Sequence, residues 1–212
     1  ACTQRDIRAL VLKGPVLAES IYGDYSLRTS KDIDLLVHED SLEEAEMLLQ
    51  EIGFRLDDKV TRILNAVKRK KYHLSYTHPQ YRIQVELHWR TSLDTFSEPS
   101  FNELWERKRA TVKTSVPVYY LSQEDLFIYL AAHGARHGWF RLRWLVDIEQ
   151  MMRLGVNWEL VSRQSKQLDQ EHIIGQALHL ASELLQVPIP QQCRLLTEND
   201  RSRELSDKAI NI

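Results

Sequence analysis

The sequence has few cysteines, no long apolar run and no strong charge surplus, and each shortage closes off a class of protein. Only two cysteines occur in 212 residues, Cys2 and Cys193, far apart and near the termini. Such a pair has neither a metal-site spacing nor the density of a disulfide scaffold, so a reducing, cytoplasmic setting is expected. No stretch approaches the roughly 20 apolar residues of a membrane span, and no signal peptide is visible. Because the chain begins without Met, an upstream segment is left open. The formal net charge of −2 gives no global pull toward nucleic acid or anionic membranes. Repeats and low-complexity tracts are also missing. What remains is an ordinary globular mix, 43% hydrophobic and 27% charged. At roughly 150 residues per domain, the length suits one large domain or two small ones.

Ala9-Leu10-Val11-Leu12 is a short apolar run that stops at Lys13-Gly14-Pro15, the pattern of a strand and a turn. Val16, Leu17, Ser20 and Ile21 suit one face of a short helix. Ile33, Leu35 and Val37 alternate with Asp32, Asp34 and Leu36, the period of a strand. Ser41 and Glu44 have the spacing of a capping box, and Gly53 stands where a helix ends, which predicts a helix from about Leu42 to Ile52. Tyr72 to Thr77 and Tyr81 to His88 read as strands joined through His78-Pro79-Gln80 in a hairpin, and Val116 to Leu121 as another. From Ser122, which with Asp125 caps a long helical pattern, only helix signals follow up to Val187. Gly155 and Val187-Pro188 mark the breaks. The expected organisation is an α/β unit over residues 1–120 and a helical unit over 121–212. The polar tail from about Thr197 is expected to be poorly ordered.

Asp32 and Asp34 stand at i and i+2 of a strand, so both carboxylates leave the same face. Held that way they repel unless a divalent cation lies between them, and oxygen-rich ligation of this kind suits Mg²⁺ or Mn²⁺, which also bind triphosphate oxygens. A bare Asp-x-Asp also occurs on solvated strand edges. Two-metal phosphoryl-type transfer needs a further carboxylate, because the ions sit about 3.5–4 Å apart and share ligands. Glu86 is the candidate. In Ile83-Gln84-Val85-Glu86-Leu87-His88-Trp89, the residues Gln84, Glu86 and His88 share one face, and a strand placed beside Asp32 and Asp34 would make the three acids converge. Otherwise Glu86 lies on the wet face of a hairpin. Upstream, the Lys13-Gly14 turn opens a helix, so backbone N–H groups and the positive helix end can meet phosphate. Lys13 adds a point charge, Arg28 a bidentate contact and Ser30 a hydroxyl; the plainer reading of Arg28 is a pair with Asp24.

Lys13-Gly14, Arg28, Ser30, the strand Asp32-Ile33-Asp34-Leu35-Leu36-Val37 and Glu86-Leu87-His88-Trp89 together resemble the polymerase-β-type nucleotidyltransferase superfamily. More narrowly, they are similar to a bacterial branch with a Lys-Gly motif before the acidic strand. The resemblance covers roughly residues 9–150. It implies an α+β fold, a mixed β-sheet flanked by helices and followed by an α-helical C-terminal unit. It further implies that Asp32 and Asp34 bind metal, that Glu86 completes the site, and that the protein moves NMP from an NTP, with ATP the first choice, to an acceptor hydroxyl. One position departs from the pattern: Pro15 follows Gly14 where Gly or Ser is usual, and Pro has no N–H to offer a phosphate. That departure motivates an alternative, a non-catalytic nucleotide-binding module of the same fold.

The segment Ala131 to Trp139 places His133 and His137 at i, i+4 on one helical face. With Asp147 they are candidates for a zinc site, the basis of a third reading as a metal phosphohydrolase. The resemblance suggests instead that this segment frames the nucleotide or acceptor cleft, with His133, His137, Arg136 and Arg143 near phosphate or base. A buried polar network is the plain alternative. Trp139, Phe140, Leu142, Trp144, Leu145 and Ile148 read as core, as do Trp89 and Trp105. Lys68-Arg69-Lys70-Lys71 is a short basic run, and nucleic acid is not the favoured partner.

Overall fold

The apolar run Ala9–Lys13 is buried in its middle and forms β1, which ends where Gly14 turns the chain into α1 (Pro15–Tyr22). The computed structural model describes residues 2–57, 71–92, 97–111 and 114–211. Lys68, Arg69 and Lys70 of the basic run lie outside the described residues. The acidic segment forms β2 (Asp32–Val37) and leads through a 3₁₀ turn into α2 (Leu42–Glu51). Then come β3 (Arg55–Leu56), β4 (His73–His78), β5 (Ile83–His88), α3 (Phe101–Glu106), β6 (Arg109–Thr111) and β7 (Val118–Tyr120). The expected strands and hairpin are therefore present, with ends shifted by a few residues.

These strands form one seven-stranded sheet in the order β3-β4-β5-β2-β1-β7-β6. The pairs β2–β5 and β1–β7 are parallel and the other pairs antiparallel, so the sheet is mixed as expected. A parallel neighbour cannot be reached by a tight turn; α2, β3 and β4 lie in the crossover from β2 to β5. Leu42, Ala45, Leu48 and Leu49 recur at helical spacing on α2 and bury against Val37, Leu74, Tyr76, Val85 and Leu87. That apolar layer covers one face of the sheet and leaves Asp34, Glu86 and His88 on the other.

Both ends of α2 bear on the sequence reading. Ser41 makes no side-chain cap. Its backbone, at φ −92° and ψ 2°, is not in the extended conformation a capping residue needs, because the 3₁₀ turn before it already bonds Ser41 N–H to the His38 carbonyl at 2.9 Å. The C-terminus behaves as expected. Gly53 takes φ +97°, and Phe54 N–H reaches the Leu49 carbonyl while Gly53 N–H reaches that of Gln50, a Schellman ending.

The chain falls into two compact units, Ala1–Leu121 and Ser122–Ile212. In the second, Ser122 caps α4 (Gln123–Arg136) by accepting from Asp125 N–H, and its own hydroxyl donates to Asp125 Oδ2. There follow α5 (Leu142–Arg153), α6 (Trp158–Gln167), α7 (Glu171–Leu185), α8 (Arg194–Thr197) and α9 (Asp200–Ile210). The fold is thus α+β, a flanked mixed sheet and then a helical unit. The polar tail differs from expectation: it is the helix α9, capped by Asn199 and packed through the buried Ser202 and Ser206. Among the described residues no helix is long and apolar enough to cross a membrane.

Candidate active site

Register decides which side chains meet. In the parallel ladder of β2 and β5, Asp32 stands opposite Gln84, Asp34 opposite Glu86 and Leu36 opposite His88. Asp34 and Glu86 therefore face each other across adjacent strands, with Asp32 two residues along on the same face.

Lys13 reaches this face because of a bulge. β1 pairs Val11 with Leu35 and Lys13 with Asp34, so Leu12 is the extra residue. Without the bulge, Lys13 would share the face of Val11, which turns away from the acids. With it, Lys13 Nζ lies 3.2 Å from Asp34 Oδ1. The next residue, Gly14, takes φ +111°, which a side chain would strain. A Cβ there would also meet the Asp32 carbonyl and Ile33 Cα at 3.5 Å, so the Lys13-Gly14 turn lies directly on the backbone of the acidic strand. Pro15 occupies the first helical position of α1, where an N–H has no intrahelical partner in any case. Gly14 provides no side-chain cap, and Val16 carries the first N–H of the helix.

His88 joins the cluster in a way the sequence reading did not assign. It is 2% exposed, with Nε2 at 3.1 Å from Asp34 Oδ1 and 3.3 Å from Glu86 Oε2. His73, opposite His88 in the antiparallel β4–β5 pair, brings Nε2 to 3.9 Å from Glu86 Oε2. The available signal was the Glu86-x-His88 alternation, which puts the imidazole on the same strand face as the acid.

The electrostatics follow from this packing. Burial raises the pKa of Asp32, and the neighbouring Asp34 and Glu86 raise it further against the pull of Lys13. For Asp34, burial works in the same direction, but the hydrogen bond from His88 and the charge of Lys13 outweigh it and hold the carboxyl below the usual range. Burial would depress His88, yet its hydrogen bonds to Asp34 and Glu86 prevail and raise it.

Asp34 is fully buried, and among the described residues its Oδ2 has no hydrogen-bond partner. A buried oxygen left so costs about 1–3 kcal/mol, and more when charged. A hard divalent cation would remove that cost, and Asp34, Asp32 and Glu86, which would hold it, offer the oxygen donors such a cation requires. In donor type the three carboxylates fit Mg²⁺ or Mn²⁺, although among the described residues of the free protein their oxygens do not yet draw together to ligand spacing.

Arg28 is buried and donates from Nη1 to Ser30 Oγ at 3.2 Å. His133 and His137 of the helical unit have ring centroids 4.7 Å apart, and both pack on Trp144. Arg136 Nη2 meets His133 Nδ1 at 3.3 Å, and Arg143 stands on the next helix, α5. Among the described residues His133, His137 and Asp147 do not come together as a metal-ligating trio, which removes the geometric support for the phosphohydrolase reading. Trp144, Leu145 and Ile148 are core, whereas Phe140 and Leu142 are exposed, a correction to their reading as core.

Residues 1–186 match the protein family described as "Uncharacterised nucleotidyltransferase". The crystal structure of ANT(2'')-Ia in complex with adenylyl-2''-tobramycin has a TM-score of 0.54 at 13% identity, covering 81% of this chain and 92% of that one. The solution structure of the antibiotic-resistance factor ANT(2'')-Ia gives a TM-score of 0.52 at 13% identity, over 81% and 89%. The lincosamide antibiotic adenylyltransferase LnuA, in its lincomycin-bound crystal form, gives 0.48 at 10% identity, over 71% and 89%. At such identities the likeness to ANT(2'')-Ia is one of fold. No curated protein matches the chain.

Proposed function

The chain belongs to the uncharacterised nucleotidyltransferase family, and on that premise we propose that it moves NMP from an NTP, with ATP the first choice, to an acceptor hydroxyl. The observation that carries this reading is the placement of Asp34 opposite Glu86, with Asp32 on the same face and Asp34 Oδ2 buried without a partner. Asp32, Asp34 and Glu86 hold a divalent cation, which when bound supplies charge neutralisation around the transferred phosphorus. The acceptor oxygen forms a bond to the α-phosphorus, the bond between that phosphorus and the α–β bridging oxygen breaks, and pyrophosphate leaves. The acceptor proton goes to the exposed side of Glu86 or to solvent. Lys13, paired with Asp34 in the free protein, meets the charge of the triphosphate, together with the first turn of α1. Arg28 and Ser30 are assigned to the nucleotide, as are His133, His137 and Arg143. His88, whose Nε2 meets the carboxylates of Asp34 and Glu86, acts as a positioning residue.

Incubation with each α-labelled NTP, Mg²⁺ and cell extract, followed by identification of the labelled species, tests the reading and names the acceptor. Label should appear with the unaltered protein and vanish with Asp34→Asn while the circular dichroism spectrum is kept. Full labelling by a folded Asp34→Asn variant would sink the proposal. Nucleotide binding in a calorimeter with no pyrophosphate released over an acceptor panel would instead favour the binding-module reading. His137→Ala is expected to raise KM for the NTP more than it lowers kcat.

A further inference from the structure

β4 enters the sheet beside β5 with His73 opposite His88 and Ser75 opposite Glu86. Two imidazoles on neighbouring strands thus flank one carboxylate, their rings stacked with centroids 4.9 Å apart and planes at 29°. His73 Nε2 lies 3.9 Å and His88 Nε2 3.3 Å from the same oxygen, Glu86 Oε2. One ligand atom from each of the three lies within 4.8 Å of the others. Among the described residues no other trio of His, Cys, Asp or Glu side chains converges in this way.

These separations are close to those of a tetrahedral metal site. With metal–nitrogen and metal–oxygen bonds of about 2.0–2.2 Å, tetrahedral ligand atoms stand about 3.3–3.5 Å apart. His88 and Glu86 are already at that spacing; His73 Nε2 has about half an ångström to close on Glu86 Oε2 and starts within 4.8 Å of the other ligand atoms. It can do so. His73 opens β4 beyond the two residues that β3 pairs, and its side chain is 27% exposed, which also provides an entry path from solvent. Asp34 Oδ1, 3.1 Å from His88 Nε2, is held by Lys13, so water can complete the fourth position.

The donor chemistry separates this group from the oxygen set of Asp32, Asp34 and Glu86. All-oxygen ligation suits Mg²⁺, whereas two imidazoles and a carboxylate suit zinc and its neighbours in the transition series. We propose that His73, Glu86 and His88 form a second cation site, selective for a zinc-type divalent transition metal and sharing Glu86 with the oxygen set. The binding is independent of any transfer activity. A consequence that does rest on the nucleotidyl-transfer reading is antagonism: an ion on His73 and His88 takes Glu86 from the oxygen set, so zinc inhibits a reaction that Mg²⁺ supports.

The test is titration of Co²⁺ into the metal-free protein, followed by visible absorption. One equivalent should bind with the intense bands of a four-coordinate site, be displaced by Zn²⁺, and resist excess Mg²⁺. Affinity should fall by more than about tenfold in His73→Ala, the scale on which even outer-shell changes act, and should survive in Asp32→Asn. His73 is partly exposed, and circular dichroism checks that its removal keeps the fold. Absence of stoichiometric uptake, equal uptake by His73→Ala, or an ion that Mg²⁺ displaces and Asp32→Asn loses would each overturn the site. Labelling with Mg²⁺ and NTP is read separately, so either proposal can fail without the other.

Discussion

At Asp34 a fully buried carboxylate meets Lys13 and His88 through one oxygen while the other oxygen lacks a partner. The pH dependence of the metal-free protein follows from the two shifts in this contact. Asp34 has a folded pKa below its unfolded one, so its contribution to stability is present above the ordinary carboxylate range and is lost as pH falls through the folded value. His88 has a folded pKa above its unfolded one, so its contribution is complete below about 6.5 and is lost as pH rises through the folded value. Thermal melts in EDTA between about pH 5 and 9 should therefore show stability declining on the alkaline side. Asp34→Asn should flatten that decline, and an unchanged slope would place its source elsewhere. As a positioning residue, His88 should lose about 10–100-fold in activity on substitution by Gln, the usual scale for groups that orient metal ligands. The Mg²⁺ concentration for half-maximal rate should rise with it, which a loss of stability alone would not cause. The alternation that exposed Asp32, Asp34 and Glu86 also placed His88 on their face. Its contact with Asp34 was not legible, because it needs the register between strands about fifty residues apart.

Among the elements, α2 is fixed to the sheet by more than its leucines. Tyr76 of β4, fully buried, donates its hydroxyl to the buried Glu46 of α2. Tyr76→Phe leaves Glu46 inside the protein without that donor, so a loss of about 1–3 kcal/mol in denaturant unfolding is expected. The helical unit has a comparable contact point at Gly175 of α7. A Cβ there would lie 2.1 Å from the Leu196 carbonyl and 2.3 Å from Ser202 Oγ, distances that backbone cannot absorb without moving apart. Gly175→Ala should cost about 1–3 kcal/mol or more through overpacking, lowering the thermal midpoint; an unchanged midpoint would show that α7 and α9 can separate freely. This contact explains why the tail was misread. The buried positions of α9 are Ser202 and Ser206, small polar residues, with Leu205 and Ala209 only half-buried on the same face, so the apolar period is weak. The strands and α4 were legible because their burial is carried by apolar alternation and by a Ser cap.

For the whole chain, the change of period near residue 120 made the α+β class readable, while the strand order was not, since β2 finds β5 only after α2, β3 and β4 have intervened. That non-local pairing concentrates charge in a molecule whose net charge is only −2. Asp32 is raised by burial and by its neighbours Asp34 and Glu86, so repulsion that Lys13 and His88 offset only in part remains at one spot of the metal-free sheet. A cation that binds the folded state and not the unfolded one stabilises by mass action, about 2.7 kcal/mol at a hundredfold excess over Kd. For chains of this length each kcal/mol shifts the melting midpoint by about 2–4 °C. Saturating Mg²⁺ with a non-hydrolysable NTP analogue should then raise the melting transition by about 5–10 °C in differential scanning fluorimetry. Asp32→Asn and Asp34→Asn should each remove most of that rise, because each deletes a charge the cation neutralises. An equal rise in both variants would mean that cation and nucleotide bind away from these carboxylates, and the electrostatic reason for bringing β2 beside β5 would then lie in the pairing of His88 with Asp34 and Glu86 alone.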